Sequence, residues 1–309
     1  TGNVTVLITT NIVEAGTISL NQWATAGFTI TISPNSATVR TIGGNLANAL
    51  FILNGADNLT IDGRFGGSGR YLRFYNTNNG GTTFRFINDA TNNTITYCTI
   101  EGTRVAATNG VIEFSTTTGA NGNDNNTISN CFLRDISGGG STPQNMIVSN
   151  GTTTTTNTYN SGITISGNEI FNVYRSGQPC TSILLLGGTT DWTITGNSFY
   201  LTSTVAPGAA TTIMGIAVNT NRANNITVSN NYFGGTSANI GGTPWTISSG
   251  SSNALYFINF LTSGTTTASN VNGNVIGNIS LTSTPGSTGA TYFAGILIES
   301  GRVNVGTAS

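Results

Sequence analysis

A short phrase recurs along the chain and constrains its fold more than any other feature. It reads "TISGN" around Ile165, "TITGN" around Ile194 and "TVSNN" around Val228. The full set of anchors is Ile32, Ile61, Ile95, Ile128, Ile165, Ile194, Val228 and Val271, spaced 29 to 43 residues apart. Internal repeats of this length are typical of solenoids, in which a repeat buries its apolar side chains only against its neighbours.

Each repeat also contains a second apolar run upstream of the anchor. Examples are "FRFIN" at 84–88, "VIEFS" at 111–115 and "LYFINF" at 255–260. Both runs alternate and are rich in β-branched and aromatic residues, which indicates strands, and the Gly/Asn/Thr-rich stretches between them indicate loops. One repeat therefore holds a first strand, a loop, a second strand with the anchor, a turn and a short third strand. Stacking these units in parallel predicts an all-β solenoid.

The turn after the anchor has its own column of residues. Three positions after each anchor stand Asn35, Arg64, Cys98, Cys131, Asn168, Asn197, Asn231 and Asn274. Asn side chains at the same bend of successive coils are able to bond to one another and satisfy amides that the bend leaves unpaired. We therefore predict a structural ladder of Asn35, Cys98, Cys131, Asn168, Asn197, Asn231 and Asn274. Cys98 and Cys131 are either small apolar substitutions in this ladder or a redox pair.

Composition excludes several classes of function. Only 7% of residues are charged, the formal net charge is −1, and the chain contains no His. Catalytic triads and metal sites that use His are excluded, and no basic field attracts nucleic acid. The three cysteines, Cys98, Cys131 and Cys180, lack metal-site spacing, and no apolar run is long enough to span a bilayer. We expect no metal, no cofactor, no nucleic-acid partner and no membrane span.

The repeated phrase resembles the "xITISxNxI" pattern of right-handed parallel β-helix proteins of the pectate lyase-like superfamily. The resemblance covers the chain from about Thr29 to its end. It implies an all-β, right-handed parallel β-helix of about eight to nine coils, with three short strands per coil and an Asn/Cys ladder at one turn. We expect residues 1–309 to form one domain, with 1–45 as the first coil or an N-terminal cap region and 46–309 as regular coils.

The sequence of the first hundred residues, especially "GADNLTIDGRFGG" at 55–67, is similar to that of large bacterial surface proteins secreted by the type IX system. Those are multi-domain chains, and Thr1 is not a Met, so we expect a fragment of a longer polypeptide. The resemblance implies a secreted or cell-surface location. Other copies or neighbouring domains that pair with the solenoid ends, and a polysaccharide, are the partners that we expect.

The resemblance places a polysaccharide groove along the outer face of the first strands. Alternation points Arg85 and Glu113 outward there, followed by Ile147 or Ser149, Leu184, Ala217, and Tyr256 or Ile258. One Arg and one Glu match neither the calcium-binding acids of the lyases nor the Asp trio and His of the hydrolases. We therefore expect Arg85 and Glu113 to form a surface ion pair, and no catalytic residues.

These observations predict a non-enzymatic extracellular or cell-surface β-solenoid of adhesin type, which acts as a stalk, spacer or fibre-like component. The alternative is a polysaccharide-active enzyme or depolymerase with a groove on the first-strand face. A second alternative is an ice- or glycan-binding array of outward hydroxyls that flank the anchors. The candidate ligand-binding residues of that array are Thr94, Thr96, Thr127, Ser129, Thr164, Ser166, Thr193 and Thr195.

Overall fold

The computed structural model describes residues 2–23, 27–139, 141–248, 251–282 and 292–306. The chain is a right-handed parallel β-helix of about nine coils, which confirms the fold predicted from the repeats. Its strands fall into three long sheets, and adjacent strands in each sheet come from successive coils and run parallel. Each complete coil contributes a first, a second and a third strand, and we name the three sheets accordingly.

The first-strand sheet and the second-strand sheet carry the two alternating runs of each repeat. The first-strand sheet contains Leu20–Asn21, Ala49–Asn54, Thr82–Ile87, Ile112–Phe114, Asn145–Ser149, Cys180–Leu185, Thr212–Asn219, Ala254–Thr262 and Phe293–Ile298. The second-strand sheet contains Val4–Ile8, Ile30–Pro34, Leu59–Asp62, Thr94–Thr96, Thr127–Ser129, Thr164–Ser166, Thr193–Thr195, Thr227–Ser229, Ser269–Asn272 and Val303–Val305.

The third-strand sheet follows the turn after each anchor. It contains Ile12–Val13, Arg40–Gly44, Leu72–Asn76, Cys98–Gly102, Phe132–Arg134, Glu169–Phe171, Ser198–Tyr200, Tyr232–Phe233 and Val275–Ile276. Two short parallel pairs lie outside the three sheets, Asn160–Ser161 with Thr189–Thr190 and Trp245–Ser248 with Ile279–Thr282. A single 3₁₀ turn, Thr156–Thr158, is the one helical element of the described residues.

The anchors form a continuous apolar column inside the solenoid. Register pairing stacks Ile95 on Ile61 and Ile128 on Ile95, and each of these side chains is fully buried. Aromatic rings fill the first-strand side of the core, where Phe86 stacks on Phe114 with ring centroids 4.5 Å apart. Burying such side chains stabilises the fold by about 1.5–3 kcal/mol each, which explains why a chain with so few charges forms a rod.

Asn side chains stack at the turn between the second and third strands. Asn168 Nδ2 donates to Asn197 Oδ1 at 2.9 Å, Asn197 Nδ2 donates to Asn231 Oδ1 at 3.0 Å, and Asn231 Nδ2 donates to Asn274 Oδ1 at 3.0 Å. Cys131 occupies the ladder position one coil before Asn168, and its backbone amide donates to Asn168 Oδ1. The backbone amide of Cys98, one coil earlier still, lies 3.4 Å from Cys131 Sγ. The cysteines thus extend the Asn ladder as free, buried thiols.

The ladder position of the first two coils differs from the expected one. Asn35 is exposed, and its Oδ1 accepts from Arg40 and Ser36 rather than from a ladder neighbour. Loops of several residues separate second and third strands in these coils, so the residue in register with Cys98 is Leu72 and not Arg64. Counting three positions from the anchor fails where an insertion lengthens the turn.

A second set of stacked Asn residues, which was not predicted from the sequence, lies at the turn between the first and second strands. Asn93 Nδ2 donates to Asn126 Oδ1 and Asn123 Nδ2 donates to Asn160 Oδ1, both at 2.9 Å, and all four side chains are buried. The available signal was the Asn that stands two residues before Ile95 and Ile128. These bonds fix the loop that joins first and second strands next to the first-strand face.

Candidate functional site on the first-strand face

The outward column of the first-strand sheet changes from charged to apolar side chains along the solenoid axis. The register aligns Ile52, Arg85, Glu113, Val148, Leu184, Ala217, Asn259 and Leu297. Arg85, Glu113, Leu184 and Ala217 stand where alternation predicted them. Val148 and Asn259 replace the predicted candidates, because Ile147 and Ile258 pair within the buried Ile112 and Ile216 columns. A charged pair is therefore followed by an apolar stretch.

Glu113 is the buried carboxylate of this column. Its side chain is 4% exposed, and Oε2 accepts from Arg85 Nε at 2.7 Å. Oε1 is buried and has no hydrogen-bond partner among the described residues. Leaving a charged acceptor unpaired costs more than leaving a neutral one unpaired, so an atom of this kind points to a bound group that completes the site. The pair with Arg85 forms as predicted, but it is not the surface pair that we expected.

Arg85 is held in one orientation by two partners. Besides the bond to Glu113, its Nη1 donates at 2.7 Å to Oδ1 of Asn48, which directly precedes the first strand Ala49–Asn54 of the preceding coil. The guanidinium thus positions one oxygen of Glu113 through a charge-assisted hydrogen bond. Glu113 is left with a free oxygen, while Nε and Nη1 of Arg85 both donate hydrogen bonds.

A small cavity opens beside Glu113, towards the next coil. It has a volume of about 90 Å³ and is bounded by polar loop residues on both sides of the strand. Its lining comprises Thr108, Asn109, Glu113, Phe114, Ser115, Thr116, Val148 and Asn150. Hydroxyl and amide groups around one carboxylate match the hydrogen-bonding groups of a carbohydrate.

Arg104 carries a second guanidinium, whose charge interacts with the charge of Glu113. It follows the third strand Cys98–Gly102, where its carbonyl accepts from the Gln144 amide at 2.9 Å. Burial lowers the pKa of Arg104 and the charge of Arg85 lowers it further, while the charge of Glu113 raises it. Nε of Arg104 is buried without a hydrogen-bond partner in the described part of the chain.

Apolar side chains close the other side of the cavity. Val148, Leu184 and Ala217 are buried in the outward column and pack against Leu186, Met214 and Leu261. These contacts lie outside the solenoid core, and they fix the wall that Val148 contributes to the cavity. The first-strand face therefore combines an ionic end, a polar cavity and a covered apolar end.

The Thr/Ser array predicted as a ligand-binding surface lies on the second-strand sheet. Thr94, Thr127, Thr164 and Thr193 align in one file, and Thr96, Ser129, Ser166 and Thr195 align in the other. Some of these hydroxyls bond to each other across coils, as Thr96 Oγ1 and Ser129 Oγ do at 2.9 Å. The array is on a different face from the Glu113 cavity and takes no part in it.

Glu101, Glu169 and Arg70, on or beside the third-strand sheet, each contact a partner within the fold. Glu101 accepts from Arg73 Nη2 at 2.6 Å and from the Ser137 amide at 3.1 Å, and Glu169 accepts from Tyr200 Oη at 2.8 Å. Arg70 stacks over the Phe132 ring at 3.9 Å. Both carboxylates thus accept within the fold, while Arg73 Nε is buried without a hydrogen-bond partner among the described residues.

Neither a metal site nor a membrane-spanning helix is found among the described residues. No group of three or more His, Cys, Asp or Glu side chains lies together in a way that would hold a metal ion there. No helix in the described ranges is long and apolar enough to cross a membrane.

Neither the protein-family models nor the curated proteins contain a match to this chain. A solved structure does resemble it, the native GH136 lacto-N-biosidase of Eubacterium ramulus, with a TM-score of 0.54 and 12% sequence identity. The alignment covers 97% of this chain and 62% of that structure, so this chain spans less than two thirds of the enzyme. At this identity the likeness shows the parallel β-helix fold alone.

The comparison nevertheless corrects one prediction. A non-enzymatic stalk, spacer or adhesin was the expected role, and the solved structure that this chain resembles over nearly its whole length is a glycoside hydrolase. The expectation relied on the lack of a known acid cluster on the first-strand face, and it gave no weight to a single buried carboxylate.

Proposed function

We propose that this chain is a glycan-cleaving enzyme whose substrate binds on the first-strand face, with Glu113 as the reacting carboxylate. The observation that carries the proposal is the buried, unpartnered Oε1 of Glu113 beside the polar cavity. A likeness in fold to a glycoside hydrolase supports the same reaction class. Fold alone does not define activity, so the proposal depends on the site.

The ion pair with Arg85 decides which role suits Glu113. Because Arg85 Nε donates to Oε2 and leaves Oε1 free, we propose that Glu113 acts through Oε1 as a general base towards water or as a nucleophile. Glycosidases ordinarily use two carboxylates, and among the described residues that line this cavity Glu113 is the only one. We propose that water or a group of the substrate takes the second role.

The proposed substrate is a polymer or a large oligosaccharide outside the cell. A cavity of about 90 Å³ holds part of a sugar ring, so the rest of a glycan would lie along the open strand face. A secreted or surface location, implied by the resemblance of the sequence to secreted β-helix proteins, agrees with such a substrate. Membership of the pectate lyase-like superfamily and export by the type IX system belong to the same proposal.

The test is the release of reducing ends from a panel of purified glycans by the wild-type chain and by Glu113→Gln. We expect wild-type cleavage of at least one glycan and a loss of about 10³-fold in kcat for the variant. Glu299→Gln is the matched control, since Glu299 is exposed directly after the last first strand, Phe293–Ile298, and the substitution removes the same charge. Equal rates for Glu113→Gln and the wild type would refute the proposal.

A further inference from the structure

We infer that a second cavity of this chain binds a compact, uncharged apolar group, and that this group is the aglycone of the glycan held at Glu113. The first half of the inference stands on the cavity alone, and the second half rests on the proposed function. The cavity lies between the first coil and the first strand Ala49–Asn54 of the second coil, and we call it the edge cavity.

The edge cavity forms because the first coil pairs with its neighbour over a short length. The first strand Leu20–Asn21 pairs with only the last two residues of Ala49–Asn54. Gly16 turns the chain in the left-handed conformation, with φ 63°, and no backbone hydrogen bond of the described chain joins residues 17–19 to residues 49–52. The two segments therefore separate, and the gap between them is the cavity.

Apolar side chains make up most of the lining of the edge cavity, which has a volume of about 180 Å³. Its apolar lining comprises Ile18, Leu20, Leu50, Phe51 and Ile52, and its polar lining comprises Glu14 and Ser19. An engineered cavity of about 150 Å³ lined by Leu, Ile and Phe in another protein stays dry and binds benzene, because water finds too few hydrogen-bond partners there. The edge cavity thus has the size and the lining of a site for one aromatic ring or a short alkyl chain.

The first coil leaves apolar surface uncovered around the edge cavity. Ile18 is 83% exposed, and Phe51 is only partly buried. The next two residues in the column of Phe51, Phe84 and Ile112, are fully buried. A ligand in the cavity would cover this open surface, and removal of apolar surface from water favours binding.

Glu14 gives the edge cavity a charge preference. It is the charged residue of the lining, and its Oε1 accepts from the Gly16 amide at 2.8 Å. None of the four ion pairs of the described chain includes Glu14. A carboxylate ligand would meet a like charge in a partly dry site, whereas a neutral ring would not. The edge cavity should therefore select an uncharged apolar group over an acidic one.

The strand register connects the edge cavity with Glu113. Ile52 lines the cavity and pairs with Arg85, and Arg85 pairs with Glu113, so the three residues lie in one outward column. Two strand spacings of about 4.8 Å separate Ile52 from Glu113, which places the two sites about 10 Å apart. A ligand that fills both sites has a sugar part for the Glu113 cavity and an apolar part for the edge cavity. An oligosaccharide with an apolar aglycone fits this description.

The first experiment measures binding of benzyl alcohol, n-hexanol and benzoate to the full chain by ligand-observed NMR titration. We expect a dissociation constant on the order of 1 mM for benzyl alcohol or n-hexanol, and the tighter of the two identifies the group as a ring or a chain. Benzoate should bind at least about tenfold more weakly than benzyl alcohol, and Glu14→Gln should reduce this difference to about threefold or less. Ser19→Phe fills the cavity and should weaken binding of both alcohols at least about tenfold.

Ile18→Ser and Val13→Ser are a matched pair of variants that leave the core intact. Both side chains are strongly exposed in the first coil, but only Ile18 lines the edge cavity. Ile18→Ser should weaken binding of the preferred alcohol at least about threefold and Val13→Ser should not, with both thermal transitions near that of the wild type. No detectable binding of either alcohol, or binding that Ser19→Phe and Ile18→Ser leave unchanged, would overturn the inference.

The second experiment tests the link between the edge cavity and Glu113. Cello-, xylo- and chito-oligosaccharides of two to four sugars are labelled at the reducing end as benzyl or methyl oximes and titrated into Glu113→Gln, so that no ligand is cleaved. We expect one benzyl oxime, of the length that spans both sites, to bind at least about tenfold more tightly than its methyl partner and than benzyl alcohol. Benzyl oximes that bind no better than benzyl alcohol at any length would overturn the link.

The outcomes also distinguish this inference from the proposed function. Tight binding of a benzyl oxime that Ser19→Phe abolishes, without cleavage of any glycan by the wild-type chain, would support the edge cavity as a binding site and remove the enzymatic proposal. Cleavage that depends on Glu113, with equal affinities for benzyl and methyl oximes, would support the enzyme and overturn the aglycone site.

Discussion

The side-chain oxygen of Asn197 accepts two hydrogen bonds from Asn168, in the preceding coil of the solenoid. The backbone amide of Asn168 donates to Asn197 Oδ1 at 3.0 Å, and the Asn168 side-chain amide donates to the same oxygen at 2.9 Å. Asn197 Nδ2 in turn donates to the carbonyl of Ile165 at 2.9 Å. The Asn197 side chain thus satisfies two donors and one acceptor of the preceding coil.

We predict that Asn197→Ala is strongly destabilising. The substitution removes the acceptor of the buried Asn168 backbone amide and the side-chain donor to the Ile165 carbonyl, and it removes one bond each from Asn168 Nδ2 and Asn231 Oδ1. Buried unpaired groups of this kind cost about 1–3 kcal/mol each, so the free energy of unfolding should fall by at least about 3 kcal/mol. Chemical denaturation measures the change. Asn121→Ala, at an exposed loop position, is the control, and equal stabilities of the two variants would contradict the prediction.

We predict that Cys131→Asn is tolerated and stabilises the solenoid by about 1 kcal/mol. Cys131 occupies a ladder position, and its sulfur accepts a long bond from the Cys98 amide at 3.4 Å. An Asn side chain there would accept from Cys98 and donate to Asn168 Oδ1, as the later ladder members do. The midpoint of thermal unfolding should rise. A drop of more than a few degrees would show that the position selects Cys for its size.

The repeated phrase was sufficient to predict the solenoid, because the inward anchors and the Asn turn are local patterns. Ile128, Ile165 and Ile194 lie in one buried column, as their spacing indicates. The same reasoning failed at Leu72, since a loop of variable length shifts the ladder position and the anchor does not encode that length.

The candidate site was only partly accessible to sequence reasoning. Alternation within two strands put Arg85 and Glu113 outward, and the register between coils brings them into contact. The polar lining of the cavity beside Glu113 was missed, because Thr108, Asn109 and Asn150 lie in loops outside the alternating strands. The burial of Glu113 was missed too, since an outward position on a strand does not reveal which loops cover it.

We predict that alkaline unfolding is partly caused by Cys180. Burial raises the pKa of this thiol from 9.0 to about 12. The folded state therefore favours the neutral thiol: its contribution to stability is complete below about pH 9 and is lost as the pH rises from about 9 to 12. Cys180→Ala removes this dependence. The stability difference between wild type and variant should shrink by up to about 1.4 kcal/mol per pH unit in that range.

The measurement is chemical denaturation of both proteins at several pH values from neutral to strongly alkaline. Tyr and Arg groups titrate alike in the two proteins, so their effects cancel in the difference. Stability curves that stay parallel through the alkaline range would exclude Cys180 as a contributor.

We predict that Glu101→Gln lowers stability and preserves glycan cleavage, while Glu113→Gln preserves stability and abolishes cleavage. Glu101 is 2% exposed, and its Oε2 accepts from both Arg73 and the Ser137 amide. Removing its charge weakens two hydrogen bonds within the fold and should cost about 2 kcal/mol of stability. Glu113 leaves one oxygen unpaired in the fold, so its replacement should cost less than about 1 kcal/mol.

The two variants are compared by denaturation and by glycan cleavage. Glu101→Gln should unfold earlier but retain the turnover of the folded wild type, while Glu113→Gln should keep its stability and lose turnover. This difference separates a carboxylate that holds the coils together from one that is kept for a ligand. If Glu113→Gln proves the less stable variant, its carboxylate belongs to the structural ion pairs and the first-strand face has no reacting group.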